Sequence, residues 1–200
     1  MALKQPTDSV GLRDRKKAAT QVALRDTALR LFSERGFANV SVDEIATEAN
    51  VSRSTFFRYF GSKEAVLFDE VDETVDAFTQ LLAARPSEES PWAAFEAAAI
   101  AVQENNESDE NQQRQRVLDD LLRNDPALSG RRLVEQQRWT EIFAGVFARR
   151  RGRPAPEFED RLAASTCMAV SDEIGRVWRE SGLTDPERVF REAFAKLRDF

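Results

Sequence analysis

The sequence predicts an all-α fold of about nine helices, and three observations support this prediction. Apolar residues recur three or four positions apart, as in Leu24, Ala28, Leu31 and Phe32, and no segment alternates in the manner of a strand. Helix-start signals built from serine, aspartate and proline occur repeatedly along the chain. The chain has 200 residues, of which 42% are hydrophobic, so it can form a substantial core.

The chain is predicted to begin with a short arm, residues 1–11, followed by a long first helix. This helix covers about residues 14–35 and carries the apolar face named above. Gly36 is expected to end it, because glycine readily takes the left-handed conformation found at helix C-termini.

Two short helices joined by a tight turn are predicted next. Ser41 caps the second helix, and Glu44, three residues later, completes a capping box. Asn50 falls at the turn, where we expect a left-handed backbone, and Ser52 caps a third helix that ends at Gly61. This arrangement is typical of a helix-turn-helix, whose second helix enters the major groove of DNA.

The rest of the chain is predicted to form six further helices. Their start signals are Ser62, Ser90-Pro91, Asp125-Pro126 and Asp185-Pro186. The predicted ranges are about 62–82, 90–105, 109–123, 131–151, 157–181 and 185–200. We therefore expect two domains, a helix-turn-helix domain with its arm at residues 1–62 and a second helical domain at residues 63–200.

The charge is distributed unevenly between these two parts. The net charge is -6, yet residues 1–63 hold 11 Lys and Arg against 7 Asp and Glu, while the remainder holds 18 against 28. A basic first third favours contact between that part and a polyanion. Arg13, Arg15, Lys16 and Lys17 begin the first helix, where they could contact DNA phosphates or could simply be solvated.

The composition excludes several classes of site. The chain has no histidine and a single cysteine, Cys167, so catalysis by a Ser-His-Asp or Cys-His arrangement is excluded, as are the usual zinc sites and an intrachain disulfide. No apolar run approaches the roughly 20 residues of a membrane span. We therefore expect a cytoplasmic protein with no metal or cofactor and no membrane partner.

The predicted third helix carries side chains that can read DNA bases. Arg53 could bond bidentately to guanine, while Ser54, Thr55 and Arg58 could contact base edges or phosphates. A solvated polar face is the alternative interpretation. Phe56 and Phe60 are expected to lie in the core.

The N-terminal third resembles the TetR family of bacterial transcriptional regulators. The resemblance rests on three segments, Ala28–Phe37, Val40–Ala46 and Val51–Glu64. It implies a family fold in which a helix-turn-helix domain precedes a helical domain that binds an effector and forms the dimer. Two residues depart from the family pattern: Asn50 replaces the usual turn glycine, and Phe57 replaces the tyrosine most members carry.

The resemblance also implies which residues contact DNA. Tyr59 and Lys63 match the residues with which the family clamps phosphates. The full set of DNA-contact residues predicted here is Ser41, Arg53, Ser54, Thr55, Phe57, Arg58, Tyr59 and Lys63.

The segment from Arg114 to Trp178 resembles an actinobacterial subgroup of the family. Effector domains in this subgroup resemble those of regulators that bind acyl-coenzyme A type ligands, some of them associated with mycofactocin systems. An aromatic or drug-like effector is the alternative. Large apolar residues could line a cavity between the later helices or could be ordinary core: Trp92, Phe95, Leu118, Leu122, Trp139, Phe143, Phe147, Cys167 and Met168.

The last two predicted helices carry apolar stripes. Because family members pair through these two helices, we expect a homodimer whose interface includes Ala169, Ile174, Val177, Phe190 and Phe194. A purely intramolecular core is the alternative.

The predicted function is a ligand-responsive regulator, most consistent with a repressor released from a palindromic operator by a small hydrophobic effector. Its partners would be double-stranded DNA, a second copy of the chain, and an effector that could be acyl-coenzyme A-like. Two rival interpretations are a helical enzyme with an attached DNA-binding unit and a helical interaction module whose N-terminal motif is structural.

Overall fold

The computed structural model describes residues 12–104, 108–181 and 186–198, and the regular elements in these ranges are all helical. The α-helices are α1 (Leu12–Arg35), α2 (Val42–Glu48), α3 (Arg53–Tyr59), α4 (Ala65–Ala83), α5 (Pro91–Glu104), α6 (Asp109–Asn124), α7 (Pro126–Arg150), α8 (Phe158–Ser181) and α9 (Pro186–Arg198). A short 3-10 turn, Phe37–Asn39, follows α1. The all-α prediction is confirmed, and the predicted arm at 1–11 lies outside the described residues.

The chain divides into two compact units, Met1–Leu67 and Phe68–Phe200. The first unit contains α1, α2 and α3, and the second contains α5 to α9. Helix α4 begins in the first unit and continues in the second, so one uninterrupted helix belongs to both.

The core of the first unit forms where the apolar faces of its helices meet. Leu24, Ala28 and Phe32 of α1 are fully buried, as is Ile45 of α2. Their spacing of three or four residues places them on one side of each helix. The predicted inward face of α1 is therefore confirmed.

Side-chain caps fix the starts of the two short helices. The Ser41 hydroxyl accepts a hydrogen bond from the Glu44 backbone N–H at 3.2 Å, and the Glu44 carboxylate accepts one from the Ser41 N–H at 2.8 Å. The Ser52 hydroxyl accepts one from the Thr55 N–H at 3.1 Å. These contacts satisfy backbone donors that helix starts otherwise leave unpaired, and both predicted caps are confirmed.

The turn between α2 and α3 depends on one left-handed residue. Asn50 has φ of 54°, the only positive φ of a non-glycine residue in the described part of the chain. The Asn50 N–H donates to the Thr47 carbonyl at 3.0 Å, and the Val51 N–H donates to the Ala46 carbonyl at 2.9 Å. The predicted left-handed backbone is confirmed, with asparagine in a position that suits glycine.

Lys63 holds the 3-10 turn in place. Its ammonium group donates hydrogen bonds to the carbonyls of Phe37 at 2.7 Å and Val40 at 2.8 Å. The same nitrogen lies 4.1 Å from the centroid of the Phe37 ring. The side chain therefore connects the segment before α4 to the segment after α1, a structural role that the sequence analysis did not foresee.

The second unit starts its helices with proline signals. Helices α5, α7 and α9 begin at Pro91, Pro126 and Pro186. The Asp125 carboxylate accepts the Ala127 N–H at 2.9 Å and caps α7. The prediction that α7 begins near residue 131 was wrong, because this cap starts the helix at Pro126 and Gly130 lies inside it.

The apolar face of α9 packs against other helices of the same subunit. Helix α9 packs on α5 and α8, and Phe194 lies 6.0 Å from Phe95, centroid to centroid. Phe194 and Ile174 are buried within the second unit. The expectation that Ile174 and Phe194 face a partner subunit was therefore wrong, because both lie in the core. Phe190 is half-buried and lines a cavity described below, and its place in a subunit interface stays a prediction.

A different face of α8 remains exposed. Phe158 and Leu162 at its N-terminal end are 77% and 53% exposed. Further along, Ala169 is exposed and Val177 is half-buried. These residues keep an apolar strip at the surface of the second unit.

Buried carboxylates in the second unit carry arginine partners. Glu70 of α4 accepts from Arg114 of α6 through both oxygens, at 2.7 and 2.9 Å. Asp160, fully buried, accepts from Arg153 at 2.8 Å and from the Glu157 N–H at 2.9 Å. The first pair ties α4 to α6, and the second fixes the entry to α8.

We predict that Asn50→Ala lowers the free energy of unfolding by about 1 kcal/mol, whereas Asn50→Gly leaves it within roughly 0.5 kcal/mol. Alanine carries a Cβ that disfavours the left-handed backbone, while glycine does not. Urea unfolding followed by circular dichroism measures both, with the exposed helical substitution Thr47→Ala as the control. An equal loss for alanine and glycine would show that the Asn50 side chain, and not its backbone, stabilises the turn.

We predict that Lys63→Met lowers the free energy of unfolding by roughly 2 kcal/mol, because it leaves the Phe37 and Val40 carbonyls without their charged donor. Lys17→Met, which removes an exposed lysine from α1, is the matched control and should be near neutral. Thermal unfolding of the full chain measures the difference. Identical melting temperatures for the two variants would contradict the structural role of Lys63.

Candidate nucleic-acid interface and cavity

Helix α3 is anchored on one side and exposed on the other. Phe56 and Phe60 are buried, and the Arg25 guanidinium of α1 lies 5.8 Å from the Phe60 ring centroid. Both phenylalanines were predicted as core, and this is confirmed. Arg53 and Phe57 are four residues apart, which places them on one side of the helix, and both are exposed.

Arg53 is the most prominent charged group on this exposed face. Its Nη1 atom lies 2.6 Å from the Asp43 carboxylate of α2, and its guanidinium lies 5.5 Å from the centroid of Phe57. Both partners of the ion pair are about 60% exposed (62% and 61%). An exposed pair of this kind is worth at most about 1 kcal/mol, so Arg53 can exchange Asp43 for another acceptor.

The hydroxyl groups beside Arg53 form a small network. The Ser52 Oγ lies 2.9 Å from both Ser54 Oγ and Thr55 Oγ1. Arg58 lies 3.5 Å from Thr55 Oγ1 and 5.4 Å from the Tyr59 ring centroid. Ser54 and Arg58 are exposed, whereas Thr55 and Tyr59 are half-buried, so the predicted set does not face solvent uniformly.

Two predicted DNA-contact residues have other partners here. The Ser41 hydroxyl donates to the Glu44 carboxylate at 2.8 Å, which uses its one proton and leaves it no donor for a phosphate. The DNA contact predicted for Ser41 is therefore not supported. Lys63 uses two donors on carbonyls, and an ammonium group has three, so one N–H is not used by those carbonyls.

The second unit contains a cavity of about 280 Å³. Residues from α4 to α9 line it, and most of them are apolar or aromatic. Of the residues predicted to line a cavity, six do so: Phe95, Leu118, Leu122, Trp139, Phe143 and Met168. The structure thus brings these side chains together, while their contact with a ligand stays a prediction.

Three predicted lining residues lie elsewhere. Phe147 and Cys167 are fully buried in the core, and Trp92 is half-buried outside the cavity wall. Burial raises the pKa of the Cys167 thiol well above its ordinary value, so this group stays neutral. Phe190 joins the wall instead, and sequence periodicity could not separate its side of α9 from a subunit interface.

One end of the cavity wall is charged, and the sequence analysis missed it. Asp119 of α6 and Asp172 of α8 both line the cavity and pair with Arg123. The Arg123 Nε donates to Asp119 at 2.6 Å, and its Nη2 lies 2.8 Å from Asp172. Only the packing of α6 against α8 brings these residues together.

A cavity residue also bonds to α4. The Trp139 indole N–H donates to the Asp72 carboxylate at 2.8 Å, and Arg138 donates to the same oxygen. Glu135 accepts from Arg131 and Arg138 at 2.7 and 2.6 Å. Burial, the largest single contribution, raises the pKa of Glu135, but these two guanidinium groups outweigh it and lower that pKa below its ordinary value.

Within the described ranges, no helix is long and apolar enough to cross a membrane. Histidine, cysteine and carboxylate side chains within the same ranges form no cluster of three able to hold a metal ion.

Two protein families match the chain in separate regions. The family described as bacterial regulatory proteins, tetR family, matches residues 24–70. The family described as the MftR C-terminal domain matches residues 89–200, which is more than half of the chain.

Two named relatives are similar to this chain along most of its length. The chain is 30% identical over 157 residues to the mycofactocin biosynthesis transcriptional regulator MftR of Mycobacterium tuberculosis, covering 78% of each chain. It is 29% identical to the transcriptional regulator TcmR of Streptomyces glaucescens, covering 94% of this chain and 87% of TcmR.

Two solved structures share the fold at low sequence identity. The structure of SmeT in complex with triclosan matches 89% of each chain with a TM-score of 0.64 and 22% identity. FadR of Bacillus subtilis, in complex with stearoyl-CoA, covers 87% of this chain and 95% of FadR with a TM-score of 0.59 and 20% identity. The relatives with curated names are regulators and not enzymes, and from these matches the chain belongs to the tetR family as a DNA-binding transcriptional regulator with an MftR-type C-terminal domain.

Proposed function

We propose that this regulator is a repressor that binds a palindromic operator as a homodimer and leaves it when a small hydrophobic effector enters the cavity of the second unit. The observation that carries the DNA-binding part is the exposed face of α3, held outward by the buried Phe56. The observation that carries the effector part is the largely apolar cavity.

Base recognition is assigned to the N-terminal turn of α3. Arg53 presents a planar fork of donors that matches the O6 and N7 acceptors of guanine in the major groove. Its present partner Asp43 is exposed and easily exchanged. Ser54, beside it, is exposed and can contact a base edge or a phosphate, and the Phe57 ring offers an apolar surface to a thymine methyl group.

Positioning on the phosphate backbone is assigned to Tyr59 and Lys63. The half-buried Tyr59 carries a hydroxyl that can donate to phosphate, and Lys63 has one ammonium N–H beyond the two used on carbonyls. Such contacts set the register of α3 on the duplex without reading its sequence.

The cavity supports a small effector. Its volume of about 280 Å³ lies just below the range for ligand pockets, roughly 300–1,000 Å³. A whole acyl-coenzyme A, with its nucleotide and pantetheine, would have to leave much of itself outside. The aromatic wall therefore supports the alternative of a compact aromatic effector over the acyl-type one.

Helix α4 offers a route from the cavity to the DNA-binding unit. Trp139 lines the cavity and bonds to Asp72 of α4, a helix that begins in the first unit. An effector that favours another position of Trp139 would alter the restraint on α4. The effect on DNA is then a population shift, in which the bound effector stabilises a conformation that fits the operator poorly.

Dimerisation is assigned to the exposed strip of α8. Phe158, Leu162 and Ala169 are exposed in the single subunit, and two large exposed apolar side chains near each other favour burial in a partner. A two-fold contact would give the pair of α3 helices that a palindromic operator requires, since one seven-residue helix reads few bases.

We predict that Arg53→Ala relaxes base preference at one position in each half-site and weakens operator binding by about 1–3 kcal/mol, because a bidentate guanine contact is lost. The operator is first obtained by selecting bound duplexes from a randomised pool, and affinity is then measured by fluorescence anisotropy at several salt concentrations. Arg30→Ala is the matched control, since Arg30 is exposed and ion-paired in the same unit but lies on α1.

Retention of full specificity by Arg53→Ala would exclude this residue from base recognition. If the wild-type chain selected no sequence and bound all duplexes alike, the repressor proposal itself would be wrong.

We predict that Leu162→Glu converts the dimer to a monomer at micromolar concentration and greatly weakens operator binding, because a carboxylate would be buried at the two-fold contact. Sedimentation velocity measures the assembly state. Val22→Glu is the control, as Val22 is 50% exposed but lies on α1. A dimeric Leu162→Glu would place the interface elsewhere, and a monomeric wild type would remove the two-site mechanism.

A further inference from the structure

The charged part of the cavity wall consists of two arginines and two aspartates. Arg123 lies between Asp119 and Asp172, at 2.6 and 2.8 Å. The Arg132 Nη1 lies 3.7 Å from Asp172, and Gln136 donates to Asp172 at 2.9 Å. Two guanidinium groups and two carboxylates give this Arg–Asp cluster (Asp119, Arg123, Arg132, Asp172) no net charge.

The arginines in this cluster are poor receptors for an anion. Burial, the largest contribution, lowers the pKa of Arg123, but Asp119 and Asp172 together outweigh it and raise that pKa above its ordinary value. The guanidinium is therefore firmly charged, with its charge already neutralised. A carboxylate or phosphate entering here would meet two carboxylates and would have to displace one of them.

Close packing holds this arrangement in place. Gly175 of α8 has no side chain, and a Cβ at that position would lie 3.1 Å from the Arg123 Nη2 and 3.5 Å from an Asp119 oxygen. The guanidinium thus lies directly against the backbone of α8. The backbone of α8 therefore prevents Arg123 from moving further in that direction.

Arg132 nevertheless has an unmet hydrogen-bond donor. Its Nε is buried and has no hydrogen-bond partner, although Arg132 is part of the cavity wall. Solvent does not reach this Nε, so an acceptor atom on a ligand has to find its donor elsewhere in the cavity wall. Gln103, Gln115 and Ser171 also line the cavity and can form neutral hydrogen bonds.

The rest of the wall suits a flat ring system. Phe78, Phe95 and Phe143 form a cluster with centroids 4.6, 5.2 and 5.5 Å apart, and the rings are tilted or edge-on to one another. Such surfaces favour offset or edge-to-face contact with a further aromatic ring. Trp139 adds a fourth aromatic side chain to the wall.

We infer that the effector is an uncharged aromatic compound with a carbonyl or similar acceptor, and that the Arg–Asp cluster excludes carboxylates and phosphates from the cavity. This inference rests on the proposed function, in which the cavity binds the effector. Within it, the neutral donors of the wall (Gln103, Gln115 and Ser171) meet the acceptor, the phenylalanine cluster meets the ring system, and Asp119 and Asp172 select against negative charge.

The test uses three probes that share a naphthalene ring and a branched substituent of the same shape. They are 2-acetylnaphthalene, which has a neutral acceptor, 2-naphthoate, which has a negative charge, and 2-isopropylnaphthalene, which has neither. Affinity for the full-length wild-type chain is measured by calorimetry or by quenching of tryptophan fluorescence. We expect 2-acetylnaphthalene to bind at least about tenfold more tightly than either of the others, a difference of about 1.4 kcal/mol.

Asp172→Asn provides the decisive variant. It keeps the shape of the side chain and leaves the cluster with one net positive charge, so 2-naphthoate should gain at least about tenfold in affinity while 2-acetylnaphthalene changes little. Asp120→Asn is the matched control, because Asp120 is the exposed neighbour of Asp119 and bonds to Asn124 outside the cavity. Asp119→Asn serves as a second variant if Asp172→Asn fails to fold.

The outcomes separate this inference from the proposed function. Any of three results would overturn the inference. The wild type could prefer 2-naphthoate, both Asp→Asn variants could keep the preference of the wild type, or 2-acetylnaphthalene could fail to bind. Release of the selected operator is measured with the same probes. Binding in the expected order without release would leave the cavity chemistry standing and contradict the effector-controlled repressor.

Discussion

Burial of Phe56 beneath α3 is the constraint on which the DNA-binding surface depends. A helix of seven residues has too few hydrogen bonds to be stable by itself, so tertiary packing must hold it. Phe56 and Phe60 supply that packing, while Arg53 and Phe57 remain exposed. The left-handed Asn50 forms the turn that leads into α3. The side chains proposed to read bases are thus held in place by the buried residues of the same helix.

Lys63 and Ser41 both have structural roles in the first unit. The family resemblance places Lys63 near a phosphate, and Ser41 belongs to the predicted set of DNA contacts, yet each completes the structure of the first unit. Lys63 satisfies the carbonyls of Phe37 and Val40, and Ser41 completes the α2 capping box with Glu44. The ammonium group of Lys63 and the hydroxyl group of Ser41 therefore both have partners within the first unit. The Ser41 hydroxyl donates its only proton to the Glu44 carboxylate, while the Lys63 ammonium group has one N–H beyond the two that the carbonyls accept.

Local signals in the sequence predicted the helices and caps well, because these depend on neighbours three or four residues away. The Ser41–Glu44 box, the turn at Asn50 and the proline starts are of this kind. Contacts between distant segments were not accessible in the same way. Periodicity identified an apolar stripe on α9 but could not say whether α5 or a second subunit covers it. The adjacent carboxylates Asp119-Asp120 and Asp172-Glu173 could not be told apart from the sequence, and only the packing of α6 against α8 placed one of each pair at the cavity.

Helix α7 lines the cavity on one side and carries the ion pairs that reach α4 on the adjacent side. Its cavity stripe, Arg132, Gln136, Trp139 and Phe143, repeats at intervals of four, three and four residues. The adjacent stripe, Arg131, Glu135 and Arg138, repeats at four and three and carries the ion pairs. The two stripes share one acceptor, since the Trp139 indole and Arg138 donate to the same oxygen of Asp72 on α4. Under the proposed function, a ligand that moves Trp139 would therefore disturb the bond of Arg138 to Asp72 as well. This shared attachment is the contact through which α4 would respond to occupancy of the cavity.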